Sequence, residues 1–321
     1  MTDFKRVLCL ILAVCALLTL TCCAGGKNNL NLSTAATTGA LYPIGASCAA
    51  VWNDKLSNIT VSSQASNGGV ENLNLLKAGE VDMGFAVTSI MYQSFYGEGS
   101  FQGDANPKLR VLAGLYYNPN QVVASSESGV TELKQLAGTR FAPGAAGSTT
   151  LEETEHHFLA AGIPYPDGID AQYVGFTEAV DLIRNRQLDG AWIMAGVPNS
   201  AVTEVITTAG GHLVPISDDV IDALIEAYPW YARYTIPAGS YEGQTEDVTT
   251  TAIKLCLFAS ADMDDDTAYQ LVRTFWENIG TIAASNAALK NVSVEDAVTD
   301  LAGLPLHDGA ARYYRELGLI E

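Results

Sequence analysis

The sequence predicts an α/β protein of two doubly wound lobes, joined by a hinge and enclosing a central ligand cleft. Three observations carry this expectation. A strand, glycine turn, helix pattern runs through the first third of the chain and restarts near Arg110. Strands such as Gly190-Ala191-Trp192-Ile193-Met194 read as apolar on both faces, as strands buried inside a parallel sheet do. The 321 residues also exceed what one core ordinarily organises.

Residues 1–22 read as a lipoprotein signal peptide. Lys5 and Arg6 precede an apolar run over residues 7–20, which is shorter than the ~20 residues that span a bilayer. Leu20-Thr21-Cys22-Cys23 then forms a lipobox-like cleavage region, with Cys23 as the residue that takes a thioether-linked lipid. Lipidation at Cys22 would put Thr19 where a lipobox prefers Leu, and the remaining outcome is cleavage with release. Residues 23–29 are a small, polar linker.

The mature chain opens with an extended run over residues 30–35, which leads through Thr37-Thr38-Gly39 into a helix. Pro43 suits the first turn of that helix, and Ile44, Cys48, Val51 and Trp52 fall on one face. A strand over 59–63, the turn Ser66-Asn67-Gly68-Gly69, a helix over 70–78 and a strand over 81–86 complete a βαβαβ unit. Residues 110–117 and 121–124 are extended, 139–142 form a strand, and 144–149 open a helix that runs through Ala161. A strand over 171–174, a helix over 177–186 and the strand 190–194 follow. The chain then returns near residue 217, with a late strand over 251–260 and a long amphipathic helix over 265–284. One lobe therefore takes residues 30–118 and 218–321, the other 119–217.

The formal net charge is −19, and loss of the leader with Lys5, Arg6 and Asp3 makes it one unit more negative. Nucleic acid is excluded as a partner by that balance. Four of the six cysteines, Cys9, Cys15, Cys22 and Cys23, belong to the export segment. Cys48 and Cys256 sit in apolar contexts, where a free cysteine behaves as a small buried hydrophobe; their spacing permits one disulfide without implying it.

Open parallel sheets bind ligands at the carboxyl ends of their strands. Four small-residue segments gather there, each opening a helix: Thr37-Thr38-Gly39, the run from Ser66 to Asn72, the run from Pro143 to Thr150, and the run from Ala195 to Ser200. Unpaired N–H groups and the positive end of the dipole at a helix start favour a carboxylate. None of the four contains Lys or Arg, and the nearest guanidinium is Arg140. Oriented amides, with hydroxyls from Ser148 and Thr149, are therefore expected to hold an anion in a closed, desolvated cleft.

The order Thr37-Thr38-Gly39-Ala40-Leu41-Tyr42-Pro43-Ile44-Gly45, Ser66-Asn67-Gly68-Gly69-Val70-Glu71-Asn72-Leu73 and Gly79-Glu80-Val81-Asp82-Met83-Gly84-Phe85 resembles the TAXI family of TRAP-transporter solute receptors. The tail from Leu304 to Glu316 is similar to that family's C-terminal signature, and the resemblance runs from about Leu30 to the end. It implies an exported, hinged binding protein of the periplasmic-binding-protein type II kind, anchored to the outer face of the cytoplasmic membrane. It further implies solutes such as glutamate, glutamine or 2-oxoglutarate, no cofactor, and a fused integral-membrane TRAP subunit as partner. The ligand-binding set expected is Thr38, Gly39, Leu41, Tyr42, Ser66, Asn67, Gly68, Asn72, Thr88, Tyr117, Gly147, Ser148, Thr149, Gly196 and Val197. Where members commonly carry Gly-Gly-Thr-Tyr-Tyr-Pro, this chain has Gly39-Ala40-Leu41-Tyr42-Pro43, which removes one aromatic and one hydroxyl.

Other chemistry is weaker. Glu153 and His157 at i, i+4 have no third ligand at metal spacing, so His156 and His157 are expected on a solvated helix face. His307 reads as structural, His212 as part of a loop, and Trp192, Trp230 and Trp276 as core. Tyr116 and Tyr117 end an extended strand, so one of them faces either the cleft or the core. The acids from Asp262 to Asp266 fit a helix first turn better than a calcium loop. An exported enzyme, dehydratase-like, would need an acid or base in the cleft, and capping accounts for the nearby Glu71 and Glu178. A ligand-binding input to a sensor is not separable from transport by sequence.

The anchor is directly testable: Cys23→Ser should release the mature protein or leave it unprocessed in a membrane fractionation. Lipid-labelled, membrane-bound protein in that variant would move the assignment to Cys22.

Overall fold

A computed structural model describes residues 28–37, 40–284 and 287–321. The leader, Cys22, Cys23, Thr38 and Gly39 lie outside the described residues. Among those described, no helix is long and apolar enough to cross a membrane.

The elements run β1 (Asn28–Ser33), α1 (Leu41–Lys55), β2 (Ile59–Gln64), α2 (Gly69–Ala78), β3 (Met83–Val87), α3 (Thr88–Tyr96), β4 (Leu109–Ala124), β5 (Arg140–Ala142), α4 (Thr149–Ala160), β6 (Asp170–Ala171) and α5 (Phe176–Arg184). They continue with β7 (Gly190–Met194), α6 (Ser200–Ala209), β8 (His212–Val214), α7 (Asp218–Ala227), β9 (Ala232–Ile236), β10 (Val248–Ser260), α8 (Asp265–Glu277), α9 (Ile279–Ala283) and α10 (Asp308–Glu316). The sheet order is β2-β1-β3-β10-β4-β7-β5-β6, with β8 on β4 and β9 on β10. β1, β2 and β3 are mutually parallel, as are β7, β5 and β6. The long strands β4 and β10 pair antiparallel to each other and join these two parallel sets.

The first βαβαβ unit forms as its apolar spacing predicts: Ile44, Cys48, Val51 and Trp52 are all buried on one face of α1. The Trp52 indole donates to Leu271 O at 2.9 Å, which ties α1 to α8 across the chain. Cys48 and Cys256 are free and buried, and burial pushes the Cys256 thiol up to about 12. A larger core cluster runs from Leu30 to Tyr314, and a smaller one gathers Val123, Ile183, Ile193, Val205 and Tyr241.

Three departures from the sequence pattern have physical causes. The runs 110–117 and 121–124 are one strand, because Pro119 sits opposite Ala252 where β4 changes partners, and its carbonyl still accepts from Ala195 N at 3.3 Å. The helix expected over 265–284 breaks at Asn278, whose side-chain amide donates back to Thr274 O at 2.8 Å and competes with the helical backbone. The strand expected over 171–174 shortens to Asp170–Ala171 at the sheet edge.

The C-terminal signature is a clasp. Val111 N donates to Pro305 O and His307 N to Val111 O, each at 2.9 Å, and the Tyr314 hydroxyl donates to Leu112 O at 2.8 Å. His307 caps α10 by accepting from Gly309 N at 3.2 Å and bonds Met263 O through Nε2, which accounts for it structurally. α8 crosses α10 so closely at Gly309 that a Cβ there would strike Asp265 O and stand 2.9 Å from Tyr269 N. Gly309→Ala should therefore lower the unfolding free energy by about 1–3 kcal/mol, the range for overpacking. A urea midpoint equal to the parent's would show that the crossing relaxes freely.

Candidate functional site

At the carboxyl ends of β1, β2 and β3, the loops are held by their own polar groups. The Thr34 hydroxyl donates to Gln64 O at 2.8 Å, Ser66 Oγ accepts from Gly68 N at 3.1 Å, and Glu71 accepts from Asn67 N at 2.6 Å. Gly68 has φ +104°, a conformation that favours glycine. Leu41 and Tyr42 are half-buried in the first turn of α1. Asn72 is wholly buried, and its amide donates to Thr34 O at 2.8 Å and Phe85 O at 2.9 Å, lashing the ends of β1 and β3 together. Thr88, also buried, opens α3 and accepts from Lys254 N at 3.3 Å.

The other two loops follow β5 and β7. Gly144 and Gly147 both have positive φ, +124° and +75°, and shape the turn into α4. Ser148 caps that helix by accepting from Leu151 N at 3.2 Å, so its own proton is left to donate. The loop 195–200 hangs on Gln121, whose amide donates to Ala195 O at 2.7 Å while its carbonyl accepts from the Tyr241 hydroxyl. That hydroxyl in turn accepts from Asn199 N at 2.9 Å.

Tyr117, Gly196 and Val197 come together around a cavity of about 120 Å³, with Tyr116, Tyr234 and Asp296 as further walls. Both adjacent tyrosines reach it because β4 carries an extra residue there: Lys254 and Cys256 oppose Tyr117 and Gly114. The loops 66–69 and 144–149 do not line this cavity. Lys254, a lone cation in an apolar run, is buried behind Tyr117 with Nζ 4.5 Å from the ring centroid, and burial holds its pKa below the ordinary value. The Tyr117 hydroxyl donates to Asp300, a residue at φ +50°. Arg140 points elsewhere. Its guanidinium takes both oxygens of Asp189 and donates to Arg186 O at 2.8 Å.

Glu153 and His157 are fully buried, which corrects the expected solvated face. Trp192 covers one side of α4, with its ring 4.7 Å from His157, and Tyr231 the other, at 5.2 Å. The Asn120 amide donates to Glu153 and to Thr251 Oγ1, each at 3.0 Å, and its carbonyl oxygen accepts from the Trp192 indole at 2.8 Å. His157 Nε2 lies 2.6 Å from Thr251 Oγ1. Burial raises the Glu153 carboxyl to about 8 and depresses His157 to about 3, so both are neutral near pH 7. Among the described residues, no group of three His, Cys, Asp or Glu is placed to hold a metal. Gln121, Asn120 and Lys254 were not singled out by sequence; the available signal was a polar residue inside an otherwise apolar strand.

A model of the NMT1-like family matches residues 32–318. Among solved structures, the periplasmic aliphatic sulphonate binding protein SsuA of Escherichia coli is similar at 13% identity and TM-score 0.52, over 92% of this chain and 89% of its own. PhnD1 of Prochlorococcus marinus (MIT 9301), solved with methylphosphonate, is similar at 12% and 0.57, over 91% and 99%. A TctC solute binding protein from Polaromonas is similar at 12% and 0.55, over 93% and 100%. At such identities the likeness is one of fold, and the fold is mixed α/β of the periplasmic-binding-protein type II kind.

The buried carboxyl sets a pH dependence. With its pKa raised to about 8 from 4.5, the neutral form contributes fully below pH 4.5, and that contribution is lost as pH climbs toward 8, where the unfolded chain has already ionised. Glu153→Gln cannot ionise, so its stability relative to the parent should grow across that window by on the order of a few kcal/mol. A difference that stays flat in denaturant titrations between pH 4.5 and 8.5 would rule this out.

Proposed function

This chain belongs to the NMT1-like family, and on that premise we propose that it is an extracytoplasmic solute-binding receptor that passes a small acidic metabolite to a membrane transporter. The observation that carries the reading is the meeting of Tyr117, Gly196 and Val197 around one cavity, beside the two strands that run between the parallel sets. In this reading the partner is the fused integral-membrane subunit of a TRAP-type transporter, as for TAXI receptors. The leader exports the chain, and a lipid on Cys23 holds it at the outer face of the membrane. Residues 30–118 with 218–321 form one lobe and 119–217 the other, and β4 and β10 provide the hinge.

The helix-opening loops supply the anion-binding groups. Gly144, Gly147 and the Ser148 and Thr149 hydroxyls cluster at the start of α4, and Ser148 keeps a proton to donate. Of the structural neighbours, one is named an aliphatic sulphonate binding protein and one was solved with methylphosphonate, and both compounds are small anions. A guanidinium clamp is disfavoured because Arg140 is engaged by Asp189. An enzymatic reading finds little support in Glu153 and His157, which have no exposed surface to offer a substrate.

Calorimetric titration of glutamate, glutamine and 2-oxoglutarate tests the anion-binding groups. Ser148→Ala should weaken binding by about 1–3 kcal/mol, the range for a hydrogen bond to a charged group. Gly147→Val should weaken it further, because a β-branched residue resists positive φ. Arg140→Ala should bind like the parent. Loss of all binding in Arg140→Ala, with the other two unaffected, would overturn the amide cradle.

A further inference from the structure

The cavity at Tyr117 has lining charge of one sign, with Asn291 as a neutral polar member. Lys254 Nζ has all three protons committed, to Asp296 O at 2.7 Å, Thr299 O at 2.8 Å and Thr299 Oγ1 at 3.0 Å. The Tyr117 hydroxyl gives its single proton to Asp300, so its oxygen offers lone pairs alone. Asp296 is the charged residue of the lining, and the Ser293 hydroxyl steadies its carboxylate at 3.0 Å. Two carboxylates, Asp296 and Asp300, thus stand around one buried cation, which leaves the local balance negative. The remaining walls include the rings of Tyr116 and Tyr234, and aromatic faces attract cations.

A carboxylate entering this space would meet a like charge, and none of the lining residues is a Lys or Arg. An ammonium would meet a carboxylate, a phenolic lone pair and aromatic rings. At about 120 Å³ the space admits one polar head and not a whole ligand, since complete ligand pockets run to about 300 Å³ or more. We propose that this cavity is the subsite for the amine of the solute, so that the receptor selects an amine-bearing acid over the 2-oxo acid of the same skeleton. The proposal rests on the solute-receptor reading above and adds a basis for choosing among its candidate solutes. In this arrangement the amine of the ligand enters the tyrosine cavity and its acid group stays outside.

Calorimetry on the full chain with matched pairs tests this: glutamate against 2-oxoglutarate, alanine against pyruvate, leucine against 4-methyl-2-oxopentanoate. In each pair that binds, the amine member should bind about tenfold tighter or more. Asp296→Asn should weaken the amine member by about tenfold and leave the oxo member within about twofold. Asp296 is exposed, so this variant should keep the parent's melting temperature. Tyr234→Leu removes a ring without changing charge and should narrow the same gap. Equal affinities within the pairs, a tighter oxo member, or an Asp296→Asn that weakens both members alike would overturn the amine subsite while leaving the receptor reading intact. Binding of no member of any pair would overturn both.

Discussion

The antiparallel pairing of β4 with β10 is the constraint on which the rest depends. Each strand is long enough to serve both parallel sets: β10 pairs β3 and β9 as well as β4, and β4 goes on to pair β7 and β8. Where β4 changes partners the backbone passes Pro119, which lacks a donor, so ladder bonds alone do not secure the crossing. Side chains do that work. Asn120 bonds Glu153, Thr251 and Trp192, and the Thr250 hydroxyl donates to Asn120 O at 2.5 Å. A buried network of this kind favours one geometry, because rearrangement strands further polar groups in a low dielectric, where Glu153 Oε1 already stands without a hydrogen-bond partner.

The same two strands aim the candidate site. The extra residue in β4 turns two successive tyrosines toward one cavity, and Lys254 on β10 braces the second of them while clamping the segment 296–299. Two residues beyond Pro119, Gln121 suspends the loop 195–200. The walls of the cavity therefore come from chain segments far apart in sequence, each referred to the same strand pair. Motion about that pair would change the cavity and the helix-opening loops together.

Electrostatics is managed locally. The chain is strongly acidic overall, and several of its surface arginines are neutralised in place, as in Arg184 with Glu204 and Arg233 with Asp222. Such exposed pairs contribute little to stability, ~0–1 kcal/mol each. In the interior the solution differs. Glu153 and His157 are kept neutral, and Lys254 is surrounded by oxygen acceptors. The deeper side of α4 is therefore hydrogen-bonded without net charge, while its amino end carries the loop proposed as an anion cradle.

The sequence by itself determined the α/β class, the order of the first βαβαβ unit, the buried face of α1, and the acidic first turn of α8, where Asp264 accepts from Thr267 N at 2.9 Å. These are local: spacing, caps and glycine turns encode them within a few residues. It also marked Tyr117, Gly196 and Val197 as ligand-facing, and the structure gathers those three. Four matters were decided by tertiary structure alone. Glu153 and His157 are buried because Trp192 and Tyr231, remote in the chain, cover their helix. β4 runs unbroken through Pro119 because Ala252 lies opposite it. Both tyrosines face one cavity because the pairing with β10 slips by a residue. Lys254 is tolerated in a core strand because carbonyls from residues 296 and 299 come to meet it. In each case the deciding partner lies tens of residues or more away, and spacing along one segment carries no record of what another segment will bring against it.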